Sequence, residues 1–258
     1  MTMRDLLVRG MVAGLIASVL AFGFASLIGE PPIEAAIALE GAAGEAHTHD
    51  TTPAAAAPVE AEPEVVTRGV QRTIGLATGI AMLGTAFGGV FAIAFAFIAG
   101  RVGAFSARAT ALAIALTAWG VIYLVPYLKY PPNPPAVGDG ETIQYRTAMY
   151  LVMLAISVFA ALAALALGRR MAAQSGAWNA SLVAGGLFLT VVTVGYLLLP
   201  VINEVPETFP ADLLWSFRIA SLGTQLVLWI AIGLVFGALT ERALRGNSRP
   251  VLTRAGAR

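Results

Sequence analysis

The residues best able to bind a ligand are carboxylates that stand next to prolines, in short segments between long apolar runs. Proline fixes φ and holds its neighbours rigidly, and rigid ligands bind better than mobile ones. Carboxylate and amide oxygens suit divalent cations when no thiolate is present. The sequence therefore predicts a metal site drawn from Glu30, Glu34, Glu40, Asp139, Glu141, Asn203, Glu204, Glu207 and Asp212.

Two further candidate metal ligands are His47 and His49, the only histidines of the chain. In an extended chain, residues two apart project to the same side, so both imidazoles could meet one divalent cation. Around them, however, Ala, Pro, Thr and Glu dominate, and too few large apolar side chains are present to offset the entropy of ordering. We predict that residues 41–66 form a flexible loop. Its histidines are either solvated residues or transient ligands, and the proline-held carboxylates form the principal site.

The most distinctive of the proline segments is 125–146, which contains Pro131-Pro132-Asn133-Pro134-Pro135. Its prolines prevent the neighbouring helices from continuing through it, so we expect a stiff connector, and we expect prolines to end the first and fifth helices too. One interpretation is a rigid interfacial turn with an aromatic belt. The other is a binding surface folded over the helix ends, for which Gly138 and Gly140 permit the necessary turn.

Membrane helices must position these segments. The chain has 258 residues, of which 58% are hydrophobic and only 12% charged, and this composition is not that of a soluble globular domain. The absence of cysteine excludes disulfides and thiolate metal sites. We therefore expect one all-α integral membrane domain over residues 1–258, with about six transmembrane helices. The six apolar runs approach the ~20 residues that cross a bilayer, and they are 6–28, 74–99, 109–127, 147–167, 178–199 and 213–239.

The first apolar run also resembles a secretory signal, because Arg4 and Arg9 precede it and Gly23-Phe24-Ala25 could be a cleavage site. Its apolar span is long for a signal peptide, and a retained helix gives an even number of spans. We therefore expect the first helix to be retained.

Charged residues are sorted between the two sides of the predicted membrane domain. Eleven of the sixteen Lys and Arg residues lie on the side that holds both termini, which predicts that both termini are cytoplasmic. Thirteen of the fifteen acidic residues lie on the other side. Acidic residues contribute little to orientation, so their excess on the outer side indicates a function.

An arginine begins each even-numbered predicted helix, at Arg72, Arg146 and Arg218. Three copies of one helical hairpin would produce this pattern, although three hairpins in series give similar spacing without any repeat. We expect a fold of three helical hairpins. Each arginine is predicted to pair with a nearby loop carboxylate, because such a pair would fix the loop over the helix end.

Several other functions lack the residues they need. No phosphate-binding Gly-x-x-x-x-Gly-Lys motif is present, and we expect neither a nucleotide site nor a nucleic-acid partner. No acidic residue lies near the middle of an apolar run, so a proton relay has no obvious carrier. The outer carboxylates leave an intramembrane hydrolase as an alternative, but no nucleophile and base stand together. We expect the protein not to be an enzyme.

Several of these segments together resemble a known family. They are Glu30-Pro-Pro-Ile-Glu, Arg68 with Gln71-Arg72, the proline segment from Leu128 to Asp139, Asn203-Glu204-Val205-Pro206, and Phe209-Pro210-Ala211 with Leu214-Trp215 and Phe217-Arg218. They resemble the predicted cobalt transporter subunit family CbtA over nearly the whole chain. The resemblance implies a multi-pass protein of the bacterial inner membrane that takes up cobalt with a small histidine-bearing partner, CbtB.

These observations predict a subunit that binds Co²⁺, or alternatively Ni²⁺, at its outer loops and passes the ion inward with the partner. Carboxylates, an amide and imidazole suit these ions better than Cu(I). We expect no tightly bound cofactor, only a transported ion. The alternative is a non-transporting membrane scaffold or sensor subunit whose outer loops bind a protein partner.

Overall fold

A computed structural model describes residues 2–49, 66–101 and 105–247. In these ranges the protein is helical, and five helices are long and apolar enough to cross a membrane. This confirms the all-α class, and five such helices are compatible with a multi-pass membrane protein. In chain order, α1 comprises Met3–Phe24, Ala25–Gly29 and Glu30–His49, α2 comprises Arg68–Val70, Gln71–Gly75 and Leu76–Ile98, α3 comprises Ala107–Ala118, Trp119–Leu124 and Val125–Lys129, α4 is Ile143–Leu198, and α5 is Ala211–Asn247.

Helix α4 is a hairpin of two helical arms. Its 56 residues would extend about 84 Å as one straight helix, far beyond the ~30 Å of a bilayer core. Gly176 interrupts it with φ 76° and ψ 161°, a conformation that glycine adopts easily. A Cβ added to Gly168 would lie 3.2 Å from the Ala184 Cβ, and one added to Gly195 would lie 3.1 Å from Ile156. The arms 143–175 and 177–198 therefore pack antiparallel.

The tightest helix contact joins α1 to α2 through small residues. A Cβ added to Gly14 would overlap the carbonyl group of Gly84, and one added to Gly10 would overlap that of Gly88. Glycine at these positions lets the two backbones approach closely, and dispersion contacts then hold them together. No prediction from the sequence concerned Gly10 and Gly14.

Helix α5 packs against both α1 and α3. Phe236 and Ile232 on α5 are fully buried, and Phe236 makes edge contacts with Phe91 and Phe95 of α2. Gly233 lies against Ala115 of α3. The structure thus differs from three consecutive hairpins: α1 pairs with α2, but α3 pairs with α5 and the two arms of α4 pair with each other.

Helix α1 does not end at Pro31 and Pro32, where we expected it to end. A π-helical turn, Ala25–Gly29, precedes them, and the Glu30 N–H donates to the Ala25 carbonyl five residues back. The wider turn shifts the hydrogen-bond register just before the prolines, whose missing N–H groups would otherwise interrupt it. Helix α1 then continues to His49. Residues 50–65 lie outside the described residues, so the flexible loop over 41–66 stays a prediction.

The contact between α1 and α2 predicts different effects for two glycines of α2. A Cβ at Gly84 would lie 2.9 Å from the Gly14 carbonyl oxygen and overlap Ser18, whereas a Cβ at Gly79 meets nothing within 4 Å. Gly84→Ala should therefore lower the free energy of unfolding by about 1–3 kcal/mol through overpacking. Gly79→Ala should raise it by up to about 1 kcal/mol, because alanine favours the helix. Reversible unfolding of the purified variants in mixed micelles measures both, and equal losses would contradict the packing described.

Candidate functional site

The predicted site segments meet at one end of the helix bundle, which we call the proline end. It comprises residues 30–34, 66–72, 127–146 and 199–218. Arg68 of α2 donates to Glu30 of α1 at 2.6 Å, and the Tyr130 hydroxyl donates to the Pro200 carbonyl at 2.8 Å. Four segments distant in sequence are thereby held over the same helix ends.

The connector between α3 and α4 folds over these helix ends. Tyr127 donates its hydroxyl hydrogen to the Arg218 carbonyl at 3.0 Å. The Arg218 guanidinium in turn donates to the Asn133 side-chain oxygen at 3.1 Å and to the Pro132 carbonyl at 3.4 Å. The proline segment thus folds over the helix ends, as the second interpretation expects, and its role as a binding surface stays a prediction.

Glu204 joins two connectors of the proline end, 130–142 and 199–210. Its carboxylate accepts a hydrogen bond from the Asp139 N–H at 3.1 Å and lies 3.2 Å from Nε of Arg146. Hydrogen bonding by the Thr142 side chain and the Asp139 N–H, together with the Arg146 charge, lowers the pKa of Glu204 below its ordinary value. Glu204 therefore stays charged at neutral and mildly acidic pH, and it fastens the connectors together.

The arginines that begin helices have different partners. Arg146 pairs with the loop carboxylate of Glu204, which confirms the prediction for this residue. Arg72 also pairs with a carboxylate, at 2.5 Å, but that residue, Glu34, lies in helix α1 and not in a loop. The prediction is wrong for Arg218, because no carboxylate in the described part of the chain lies within ion-pair distance of its guanidinium. The connector folds so that the Asn133 amide, rather than a carboxylate, reaches Arg218.

Glu30 is the one buried carboxylate among the described residues, with 8% of its surface exposed. It follows the π-helical turn of α1 and lines a cavity of about 310 Å³. Ser221, Thr224 and Gln225 of α5 line the same cavity, which we call the inner cavity. Its lining residues therefore carry a carboxylate, an amide and two hydroxyl groups, whose oxygen atoms are suitable ligands for a divalent cation.

Three π-helical turns surround the inner cavity. Ala25 and Gly29 belong to the first turn, Leu76 caps the second, and Tyr123 belongs to the third, Trp119–Leu124. π-Helical turns are rare in proteins as a whole, and those that occur are often found at functional sites. Sequence reasoning missed them. A signal was available in Pro31 and Pro126, which follow apolar helical runs without ending them.

A larger cavity of about 690 Å³, the outer cavity, lies beneath the proline connector. It shares Tyr123 and Pro132 with the inner cavity, so the two adjoin. Its charged lining residues are Arg146, Arg218 and Glu204. Two cations against one anion make its lining net positive, in contrast to the acidic surface that the sequence predicted.

The family model for the probable cobalt transporter subunit, CbtA, matches residues 3–241. The chain belongs to the CbtA family. Membership confirms the resemblance seen in the sequence and makes this chain a membrane transport component. The word subunit implies a partner protein, and such subunits are generally not enzymes. Neither a curated protein nor a solved structure gives a significant match.

The predicted metal ligands of this CbtA chain are distributed over several places. Glu30 lines the inner cavity, whereas Asn203 and Glu204 line the outer one. Among the described residues, no three His, Asp or Glu side chains come together as a preformed metal group. The side chains of His47 and His49 lie outside the described part, so the metal site remains a prediction. The other predicted ligands are exposed: Glu34, Glu40, Asp139, Glu141, Glu207 and Asp212.

Proposed function

We propose that this CbtA-family chain is a subunit of a divalent transition-metal uptake system of the bacterial inner membrane, with Co²⁺ as its ion. The ion is taken in at the proline end and reaches Glu30 in the inner cavity. The observation that carries this proposal is the buried carboxylate of Glu30 beside the oxygen groups of α5. A buried carboxylate requires a cation, because burial of an unpaired charge is costly.

Arg68 supplies that cation when no metal is present. Its guanidinium pairs with Glu30 at 2.6 Å, yet about one third of the Arg68 side chain is exposed, compared with 11% for that of Glu30. Arg68 can therefore turn toward solvent while Glu30 stays in place. A divalent ion that takes over the carboxylate would displace Arg68 and free the adjoining residues 66–72.

The polar residues of α5 offer the next positions for the ion. Ser221 lies one helical turn from both Thr224 and Gln225, so all three lie on the same side of the helix. The hydroxyl groups of Ser221 and Thr224 donate to carbonyl groups one turn back, at 2.9 Å each. Their oxygen lone pairs remain available to a cation. This row supports movement of the ion from Glu30 toward the bundle interior.

Six membrane spans with both termini cytoplasmic complete the proposal. The antiparallel arms of α4 support six spans, since each arm is long enough to cross a bilayer. The end of the bundle opposite the proline end carries Arg101, Arg108, Arg242 and Arg245. Such an excess of arginine favours the cytoplasmic side.

A small histidine-bearing partner of the CbtB type would add what the inner cavity lacks. Imidazole is a good ligand for late first-row metals such as nickel, and the lining of the inner cavity contains no histidine. A partner that places an imidazole near Glu30 would raise the affinity for Co²⁺ and the preference for transition metals over Mg²⁺ and Ca²⁺. The alternative, a scaffold or sensor subunit, needs the partner for assembly but moves no metal.

Cobalt accumulation in cells separates these two functions. Cells without other cobalt importers would carry the chain alone, the partner gene alone, or both. We expect both genes together to raise cell-associated cobalt severalfold above either gene alone, measured by mass spectrometry at equal membrane expression. Cobalt levels equal to those of empty cells, despite a complex of chain and partner, would favour the scaffold or sensor.

A further inference from the structure

The outer cavity carries a guanidinium, that of Arg218, which no carboxylate in the described chain neutralises. Arg218 has only neutral oxygen partners, at Pro132 and Asn133, although its charge is partly removed from water. A partly buried guanidinium without a carboxylate favours a bound anion. A second guanidinium, that of Arg146, lines the same cavity and already pairs with Glu204.

Tyrosine hydroxyls add to these donors. Tyr123 and Tyr150 line the outer cavity, and within the described ranges neither hydroxyl donates or accepts a hydrogen bond. The Asn133 oxygen accepts from Arg218, so its NH₂ group is left as a further donor. The unused groups are thus predominantly donors, which match the oxygen atoms of an anion.

The cavity also has apolar walls suited to an organic molecule. Its volume of about 690 Å³ lies within the ~300–1,000 Å³ typical of small-molecule sites. Tyrosine rings and the prolines of the connector form much of its lining. A bare divalent cation would meet two guanidinium groups and gain nothing from these walls, so its binding is disfavoured.

We propose that the outer cavity binds a small organic carboxylate, held by Arg218 and Arg146 with Tyr123 and Tyr150 as further donors. Guanidinium recognises carboxylate through two parallel hydrogen bonds, and the rings and prolines pack against the carbon skeleton. The identity of the ligand rests on the proposed function: in a metal uptake system, it is an anionic chelator that delivers the metal to the adjoining inner cavity.

Equilibrium binding of radioactive citrate to the purified full chain in lipid nanodiscs tests the proposal. We expect saturable binding without any metal, reduced roughly tenfold or more in Arg218→Gln, since hydrogen bonds to charged groups contribute about 1.5–3 kcal/mol. Tyr150→Phe, which removes one hydroxyl and little else, should weaken binding severalfold. Arg72→Gln removes an arginine of the same end that does not line the cavity, and it should bind as the wild type does.

Absence of citrate binding, or equal binding by wild type and both cavity variants, would overturn the proposal. Inorganic phosphate, tested at equal ionic strength, should compete poorly with citrate. Complete displacement of citrate by an equal concentration of phosphate would show that the site selects charge alone, and this result would overturn the proposal of an organic ligand. Citrate binding is measured without metal transport. Its failure therefore leaves cobalt uptake standing, and a failure of uptake leaves the carboxylate site standing.

Discussion

Glu30→Gln should abolish most cobalt accumulation while the protein inserts at its normal level. The carboxylate is buried beside Ser221, Thr224 and Gln225, and glutamine preserves its size but removes its charge. Charge-assisted contacts are worth about 1.5–3 kcal/mol, which corresponds to a loss of roughly tenfold to 100-fold in affinity. Cell-associated cobalt at low external concentration, normalised to membrane expression, measures the effect.

Glu34→Gln is the matched comparison for this variant. Glu34 lies one turn further along α1 and also pairs with an arginine, but its side chain is 46% exposed. Water can replace a ligand there, so we expect a loss of at most about threefold, in line with the weak net energy of exposed ion pairs. The assignment of the site would be wrong if Glu30→Gln left uptake intact while the double variant His47→Ala, His49→Ala abolished it.

Replacing residues 131–140 with Gly and Ser of equal length should also remove uptake. The change deletes the contact of Asn133 with Arg218 and also Pro132, which lines both cavities. Each lost proline adds about 0.4–1 kcal/mol of unfolded-state entropy, so the connector would seldom cover the helix ends. We expect normal insertion, because the helices themselves are unchanged, and a loss of uptake of about tenfold or more.

The control for that replacement is the same exchange at residues 51–60, within the segment predicted to be flexible. Its composition offers little to order, so Gly and Ser should be tolerated there without loss of uptake. Protease accessibility in sealed cells should rise at the proline end only in the first replacement. Full retention of uptake after replacement of residues 131–140 would show that the proline connector is only a spacer.

The helices were predictable from sequence because their determinants are local. Long apolar runs define the spans, because about 20 apolar residues are needed to cross a bilayer. The pairing of Arg72 with a nearby carboxylate was predicted from the carboxylates and arginines that border helix ends, and the structure shows that this carboxylate is Glu34. The continuation of α1 past Pro31 was not predicted, because a π-helical turn that accommodates proline has no clear signature in amino-acid composition.

The site was predictable only as a set of candidate carboxylates. Burial distinguishes Glu30 from Glu34, and burial depends on how α5 packs over the end of α1, which no local pattern specifies. The partner of Arg218 depends in the same way on the path of the proline connector. The lining of the outer cavity is net positive because Glu204 is the one carboxylate among its described residues. Glu30 and Glu34 pair instead with Arg68 and Arg72, outside this cavity.

Uptake of radioactive Co²⁺ tests the central claim most directly. Cells without other cobalt importers would express the chain with its partner, and initial rates would be followed at low external Co²⁺ for the wild type and for Glu30→Gln. We predict saturable uptake severalfold above cells lacking the chain, reduced to near their level by Glu30→Gln. Rates indistinguishable from those of cells lacking the chain, with chain and partner both present in the membrane, would contradict the account.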